Sequence, residues 1–136
     1  MKTEIRELID EAREVLKQAY APYSRFRVGA ALRSRDGRIF AGCNVENASY
    51  GLTVCAERVA IQTAVAAGAR EFVAMVLVTD SRSASSPCGA CRQVLAEFCD
   101  ADFPIYSAEM KGEEEPVLHR LGELLPNCFH MDGEEG

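Results

Sequence analysis

Apolar and polar positions follow two periods along the chain, one typical of helices and one typical of strands. Over residues 3–20, apolar side chains recur every three or four positions with charged side chains between them. This spacing predicts an amphipathic helix that Pro22 ends. Residues 26–33 and 39–45 flank an Asp-Gly pair, which predicts a β-hairpin whose two turn residues both have positive φ.

The rest of the chain alternates helical and strand patterns. An alanine-rich stretch before Gly68 predicts a helix, and a valine-rich apolar run predicts a strand buried on both faces. The predicted helices cover residues 56–67, 91–98 and 118–125, and the predicted strands cover residues 72–78 and 103–108. We expect a tail from about Met131 to be frayed. Strands that alternate with helices predict a sheet with helices on both faces.

Composition limits the class of protein. The 136 residues are enough for a single domain spanning residues 1–136, and 15 basic against 21 acidic side chains give a net charge of −6. An acidic chain of this kind argues against a nucleic-acid or membrane-surface partner. No apolar run is long enough to span a bilayer, and the first residues lack the apolar stretch of a signal peptide. We therefore expect a cytoplasmic protein.

Three of the six cysteines are distinguished by their positions. Cys55 begins one predicted helix, and Cys88 and Cys91 open another. Unpaired N–H groups and the helix dipole stabilise a thiolate at a helix N-terminus. Two such ends that face each other would hold Zn²⁺ through three sulfurs and leave one position open, as in catalytic zinc sites. A closed structural site would need a fourth ligand, and no histidine or further cysteine has suitable spacing.

Other interpretations of these residues remain open at this point. A lone CxxC pair also occurs in redox sites and in plain cores, although no upstream unit favours a thioredoxin-like fold. The other three cysteines are typical of ordinary packing, and both histidines are typical of the surface. These residues are Cys43, Cys99, Cys128, His119 and His130.

Taken together, the motifs form a recognisable signature. Cys55-Ala56-Glu57 followed by Pro87-Cys88-Gly89-Ala90-Cys91 is the three-cysteine form of the zinc deaminase pattern. The surrounding sequence from about Tyr20 to Phe129 resembles the cytidine deaminases, in the segments FRVGAA at 26–31, NVENASYGL at 44–52, CRQVL at 91–95 and LLP at 124–126. The resemblance implies a three-layer α/β/α sandwich around a mixed sheet of about five strands.

The resemblance also implies a reaction centre. One Zn²⁺ per chain would be held by Cys55, Cys88 and Cys91, and Glu57 would carry protons between water, the ring N3 and the departing amine. Arg58 would draw negative charge from the ligand sulfurs. Taken alone, Glu57 would be better explained as an acid that the helix dipole favours in a first turn. The competing interpretation of Arg58 is a solvated helix charge.

Substrate contacts are implied position by position. Phe26 would pack against the pyrimidine or its sugar, and Asn44 and Glu46 would hold the ribose 3′-hydroxyl. The backbone N–H of Ala56 would bind the base O2, and the carbonyl of Ser86 would accept a hydrogen bond from the leaving amine.

Three further residues are implied to act between subunits. Three-cysteine members of the family are homotetramers in which neighbouring subunits complete each active site. The resemblance implies that one subunit contributes Ala48 and Tyr50 and that another contributes Phe129. The chain is too short for the duplicated, dimeric form of the family.

The favoured function is therefore deamination of cytidine and deoxycytidine in pyrimidine salvage. A relative acting on another aminated heterocycle such as blasticidin S would share the zinc motifs, but the Asn-Val-Glu-Asn segment at 44–47 argues against it. A polynucleotide-editing deaminase would need a basic channel. A structural zinc module would need a fourth ligand and would not need Glu57.

Overall fold

The computed structural model describes residues 2–80, 88–112, 115–127 and 129. Within them the chain forms five strands, four α-helices and one short 3₁₀ helix at Tyr50–Leu52. In chain order the elements are α1 (Thr3–Leu16), β1 (Val28–Ser34), β2 (Ile39–Cys43), α2 (Ala56–Ala66), β3 (Phe72–Thr79), α3 (Gly89–Phe98), β4 (Pro104–Glu109), β5 (Val117–Arg120) and α4 (Leu121–Leu124).

The five strands form one mixed sheet in the order β2-β1-β3-β4-β5. β3 and β4 run parallel, and the other three neighbouring pairs are antiparallel. Helices cover both faces of this sheet. The expected three-layer α/β/α sandwich with a mixed five-stranded sheet is therefore confirmed.

Alternate side chains of the central strands supply the two halves of the core. Ala31, Val76 and Val78 face α1, whose buried stripe includes Leu8 and Leu16. On the opposite face the sheet residues Leu32, Met75, Leu77 and Ile105 pack with the buried side chains of α2 and α3. Seven of the eight residues of β3 are buried. This confirms the prediction of a strand that is buried on both faces.

Two glycines let helices approach the sheet more closely than any side chain would allow. A Cβ at Gly29 would lie 2.1 Å from the carbonyl oxygen of Ala12 in α1. A Cβ at Gly42 would lie 2.4 Å from the backbone nitrogen of Ala60 and 2.8 Å from the carbonyl oxygen of Ala56 in α2. Gly42 therefore fixes the first turn of α2 against β2.

The prediction of a helix over residues 118–125 is wrong for the first half of that range. Val117–Arg120 is β5, and only Leu121–Leu124 is helical. Leucines at helical spacing suggested one helix, but the open edge of β4 offers backbone groups with which these residues pair, from Pro104↔Arg120 to Ser107↔Val117. Sheet pairing satisfies hydrogen-bonding groups that a surface helix would leave exposed on that edge.

Two local expectations also need correction. α1 ends at Leu16 rather than near Pro22, because Tyr20 forms an isolated bridge with Val45 instead of a further helical turn. In the β1–β2 hairpin, positive φ occurs at Gly37 (φ 94°) and not at the preceding aspartate. The hairpin thus has a longer loop with one left-handed glycine rather than a two-residue turn.

Among the described residues, none of the helices has the length and apolar character needed to cross a bilayer.

Replacing Gly42 with alanine tests the close contact between β2 and α2. The new methyl group would meet backbone atoms of α2, so we expect the free energy of unfolding in urea to fall by about 1–3 kcal/mol. Gly51→Ala is the matched control, because its Cβ would have no atom within 4 Å. Equal stability of the two variants would contradict this packing.

Candidate metal centre and active site

Two helices begin at the same place on one face of the sheet. Cys55 is the N-cap residue of α2, and Cys88 is the N-cap residue of α3. Cys91 lies in the first turn of α3 and is fully buried. The three sulfur atoms lie within 4.8 Å of one another, with 3.6 Å between those of Cys55 and Cys88 and 3.1 Å between those of Cys88 and Cys91.

This group fits a zinc ion. Two sulfurs bound at ~2.3 Å to a tetrahedral zinc lie about 3.8 Å apart, so modest side-chain rotation brings all three to bonding distance. Thiolates are soft ligands that favour zinc over magnesium or calcium. Among the described residues, no other cluster of histidine, cysteine or acidic side chains has comparable geometry. Three protein ligands fit one zinc per chain with a fourth position left open.

The surroundings of the sulfurs favour negative charge. The backbone N–H of Cys91 donates to the sulfur of Cys88 at 3.4 Å. Arg58 donates from Nη2 to the sulfur of Cys55 at 3.5 Å and to the carbonyl of Thr53 at 3.3 Å. The Nε of Arg58 is buried and has no partner in the part of the chain that the structure describes. Arg58 is therefore a cation held against the ligand group rather than a freely solvated helix charge.

The thiols also influence one another. A hydrogen bond from Cys91 lowers the pKa of Cys55 to about 5, with Arg58 and Cys88 adding to the effect. The pKa of Cys91 is raised, because its thiol is the donor and because it is buried. Cys55 is therefore the thiol of this pair that first becomes a thiolate.

Glu57 lies in the first turn of α2, next to this group. Glu57 is only 6% exposed, although its side chain ends in a carboxyl group. Burial raises the pKa of Glu57 to about 7, and the negative charge of Cys55 adds to the rise. A carboxyl group buried beside a metal site is typical of a catalytic acid or base.

Asn44 and Glu46 flank a residue that is paired with the segment leading into Cys55. Val45, between them, pairs with Val54 through two backbone hydrogen bonds of 2.9 Å, directly before Cys55. The structure thus joins the expected sugar-binding segment to the start of the metal-binding helix.

The amide of Asn44 is buried and already bonded to the backbone. Its Oδ1 accepts from the N–H of Val28 at 2.9 Å, and its Nδ2 donates to the carbonyl of Phe26 at 2.8 Å. An amide group has one further donor hydrogen and one further acceptor position. Asn44 therefore holds the backbone on both sides of residue 27. A contact with a substrate hydroxyl would use the remaining donor hydrogen or acceptor position of the amide.

The other expected contact residues are placed as follows. Phe26 is 37% exposed, Tyr50 is 81% exposed and Phe129 is 67% exposed, so each offers an aromatic ring to a ligand or to another chain. Ala48 is exposed, whereas Ala56 is buried at the start of α2. Ser86 and the tail from Met131 lie outside the described residues.

Three contributors to the site were assigned no role from the sequence, although Gln93 belongs to the CRQVL segment at 91–95. Ser24 binds Glu46, the carbonyl of Thr53 accepts from Arg58, and the side chain of Gln93 donates to the carbonyl of Phe129 at 2.8 Å. The one sequence signal for Ser24 is its position after Pro22, since serine in a turn commonly binds the backbone two residues later.

The remaining cysteines and histidines behave as packing or surface residues where they are described. Burial raises the pKa of Cys99 to about 12 and also raises the pKa of Cys43. His119 is in β5 and not on a helix, opposite Ile105 of β4. Cys128 and His130 lie outside the described residues.

Comparison with known families gives a match over most of the chain. Residues 2–107 match the model described as the cytidine and deoxycytidylate deaminase zinc-binding region. This range contains the three clustered cysteines and the buried glutamate.

Individual proteins and solved structures agree with that match. The chain is 48% identical over 129 residues to the cytidine deaminase of Sporosarcina psychrophila, covering 95% of this chain and 93% of the relative. It is 49% identical over 122 residues to that of Halalkalibacterium halodurans, covering 90% and 91%. The crystal structure of cytidine deaminase from Burkholderia pseudomallei superposes with a TM-score of 0.86 at 46% identity, covering 95% of this chain and 100% of that structure.

Proposed function

The chain belongs to the cytidine and deoxycytidylate deaminase family, and from this we propose that it is a zinc-dependent hydrolase that converts cytidine and deoxycytidine to uridine and deoxyuridine. The observation that carries the proposal is a three-thiol metal site at two helix N-termini with a buried glutamate beside it. Relatives that are 48% and 49% identical over nearly their whole length are cytidine deaminases.

The thiolates of Cys55, Cys88 and Cys91 would hold the metal. Zinc bound there supplies Lewis acidity, which makes water a nucleophile near neutral pH. The family pattern assigns the water oxygen to C4 of the cytosine ring, where it replaces the exocyclic amine. The overall reaction consumes one water and releases one ammonia.

Glu57 would move the protons of this reaction. Its carboxylate takes a proton from water and delivers it to ring N3, and it then transfers a second proton to the departing amine. One carboxyl group serves both steps because it alternates between base and acid. Its burial keeps bulk water from competing for these protons.

Arg58 would balance the charge of the ligands. Three thiolates on a divalent ion leave a formal charge of −1, and the guanidinium at Cys55 together with the two helix N-termini offsets it. A less negative ligand set keeps the metal a better Lewis acid.

Substrate recognition would use residues other than the metal ligands. The ring of Phe26 would pack on the nucleoside, and Asn44 and Glu46 would bind its 3′-hydroxyl. The N–H of Ala56 would bind O2, since the first amides of a helix have no partner within it. The Ser86 carbonyl would accept from the leaving amine. A nucleoside substrate of this kind supports a place in pyrimidine salvage, and ligand thiols that must stay reduced support a cytoplasmic location.

We further propose that the protein is a homotetramer with shared sites. Tyr50, Leu52 and Phe129 are large apolar side chains with more than half of their surface exposed. Aromatic side chains at such exposure are typical of surfaces that another chain covers. Ala48 and Tyr50 of one subunit and Phe129 of another would complete a neighbouring site.

Glu57→Gln tests the proton-transfer role. The amide keeps the shape of the side chain but cannot carry the proton, so cytidine turnover should fall by at least ~10²–10⁴-fold while the zinc content stays at one per chain. Glu97→Gln, an exposed position on α3, is the matched control and should keep full turnover. Near-normal ammonia release by zinc-loaded Glu57→Gln would refute the assignment.

Complementation between two inactive variants tests the shared site. Glu57→Gln removes the proton carrier, and Phe129→Ala removes the ring that a neighbour contributes, so each homogeneous assembly should have low activity. Coexpressed mixed assemblies of about four times 14.9 kDa should regain activity, because about one quarter of their sites combine an intact Glu57 with a neighbour's intact Phe129.

Activity no greater than that of the separate variants would contradict the shared site. A fully active monomer in sedimentation at the assay concentration would contradict the tetramer itself.

A further inference from the structure

The loop between α1 and β1 is tied to the segment 44–46 by hydrogen bonds at both of its ends. Tyr20 exchanges backbone hydrogen bonds with this segment, donating to the carbonyl of Asn44 at 3.0 Å and accepting from the N–H of Glu46 at 2.8 Å. At the other end, the Asn44 amide holds the backbone of Phe26 and Val28. The intervening residues reach Glu46 through two backbone N–H groups and one side chain.

That side chain is Ser24, which binds through its hydroxyl group. It donates to Oε2 of Glu46 and accepts from the backbone N–H of Phe26 at 3.0 Å. Because a hydroxyl has one hydrogen, the donation to Glu46 is its single donated bond. Among the described residues, Ser24 is the one side chain that hydrogen-bonds to both the carboxylate of Glu46 and the backbone of Phe26.

The carboxylate of Glu46 is held by neutral groups rather than by a cation. Its Oε1 accepts from the N–H groups of Tyr23 at 3.0 Å and Ser24 at 3.1 Å. No ion pair to Glu46 is found within the described ranges. The Ser24 hydroxyl is the largest cause that lowers the pKa of Glu46 below its ordinary value. The loop thus fixes the direction of the carboxylate and favours its charged form.

The loop has a conformation that needs such support. Arg25, between Ser24 and Phe26, has a φ of 59°, which is left-handed and unfavourable for a residue with a side chain. Backbone of this kind persists only when surrounding bonds determine it. The N–H of Arg25 donates to the carbonyl of Ala21 at 3.0 Å, and the Ser24 hydroxyl binds the N–H of Phe26 and the Glu46 carboxylate. These bonds hold the loop in this conformation.

We propose that Ser24 is a positioning residue for nucleoside binding, whose hydroxyl sets the Glu46 carboxylate and the Phe26 ring at a fixed separation. The inference rests on the proposed function, in which Glu46 binds the 3′-hydroxyl and Phe26 packs on the nucleoside. Ser24 itself touches no reacting atom. Its loss should therefore weaken binding and leave the chemical step unchanged.

Ser24→Ala and Ser24→Thr test the proposal with cytidine and 3′-deoxycytidine as substrates. Ser24 is exposed, so truncation leaves no cavity. A hydrogen bond to a charged group is lost, so Ser24→Ala should raise KM for cytidine about tenfold, with kcat within about twofold. KM for 3′-deoxycytidine, which lacks the hydroxyl that Glu46 would bind, should change much less. Ser24→Thr keeps the hydroxyl and should restore KM for cytidine.

Ser34→Ala is the matched control. Ser34 also donates its hydroxyl to a carboxylate, that of Asp36, but in the β1–β2 turn away from the metal centre. Its loss should leave KM for both nucleosides unchanged.

The outcomes separate this inference from the function on which it rests. Failure of the zinc-loaded wild-type protein to deaminate cytidine, or equal KM values for the two nucleosides, would overturn the function or its sugar contact. If the wild type does discriminate, an unchanged KM in Ser24→Ala, an equal rise for both substrates, or no rescue by threonine would overturn the role of Ser24.

Discussion

The N-termini of α2 and α3 meet on one face of the sheet, and the candidate site depends on that convergence. An N-cap residue has extended backbone and directs its side chain past the end of its helix, so Cys55 and Cys88 present their sulfurs to the same volume. The close contact at Gly42 fixes α2, and β3 leads toward α3 from the centre of the sheet. The amides and dipoles at these helix N-termini then favour negative charge on the sulfurs, where an isolated cluster of thiolates would be unstable.

A network of hydrogen bonds holds the residues that are expected to bind the sugar. Asn44 is buried and braces the backbone of Phe26 and Val28, while Glu46 is held by Ser24 and two backbone N–H groups. Residues expected to bind a sugar thus also hold the loop that carries Phe26. Binding groups that are locked by their own contacts lose little freedom when a ligand arrives.

The sequence predicted most of the fold because helix and strand periods were strong in the core. β3 is a continuous apolar run and α2 an alanine-rich helix, and both are found within one residue of the expected ends. β5 was missed because pairing with the edge of β4 is a tertiary interaction that leucine spacing does not report. The metal group was predictable because three cysteines and a glutamate occupy helix starts. The contribution of Ser24 was not predictable, since it arises from a loop that contacts a residue 22 positions later in the chain.

X-ray absorption at the zinc edge of the purified protein tests the metal centre most directly. The convergence of Cys55, Cys88 and Cys91 predicts one zinc per chain with three sulfur neighbours and one lighter oxygen or nitrogen neighbour. Addition of an inhibitor that occupies the site should change only the lighter neighbour. Four sulfur neighbours, or a shell saturated by protein ligands, would contradict an open catalytic centre and favour a structural zinc module.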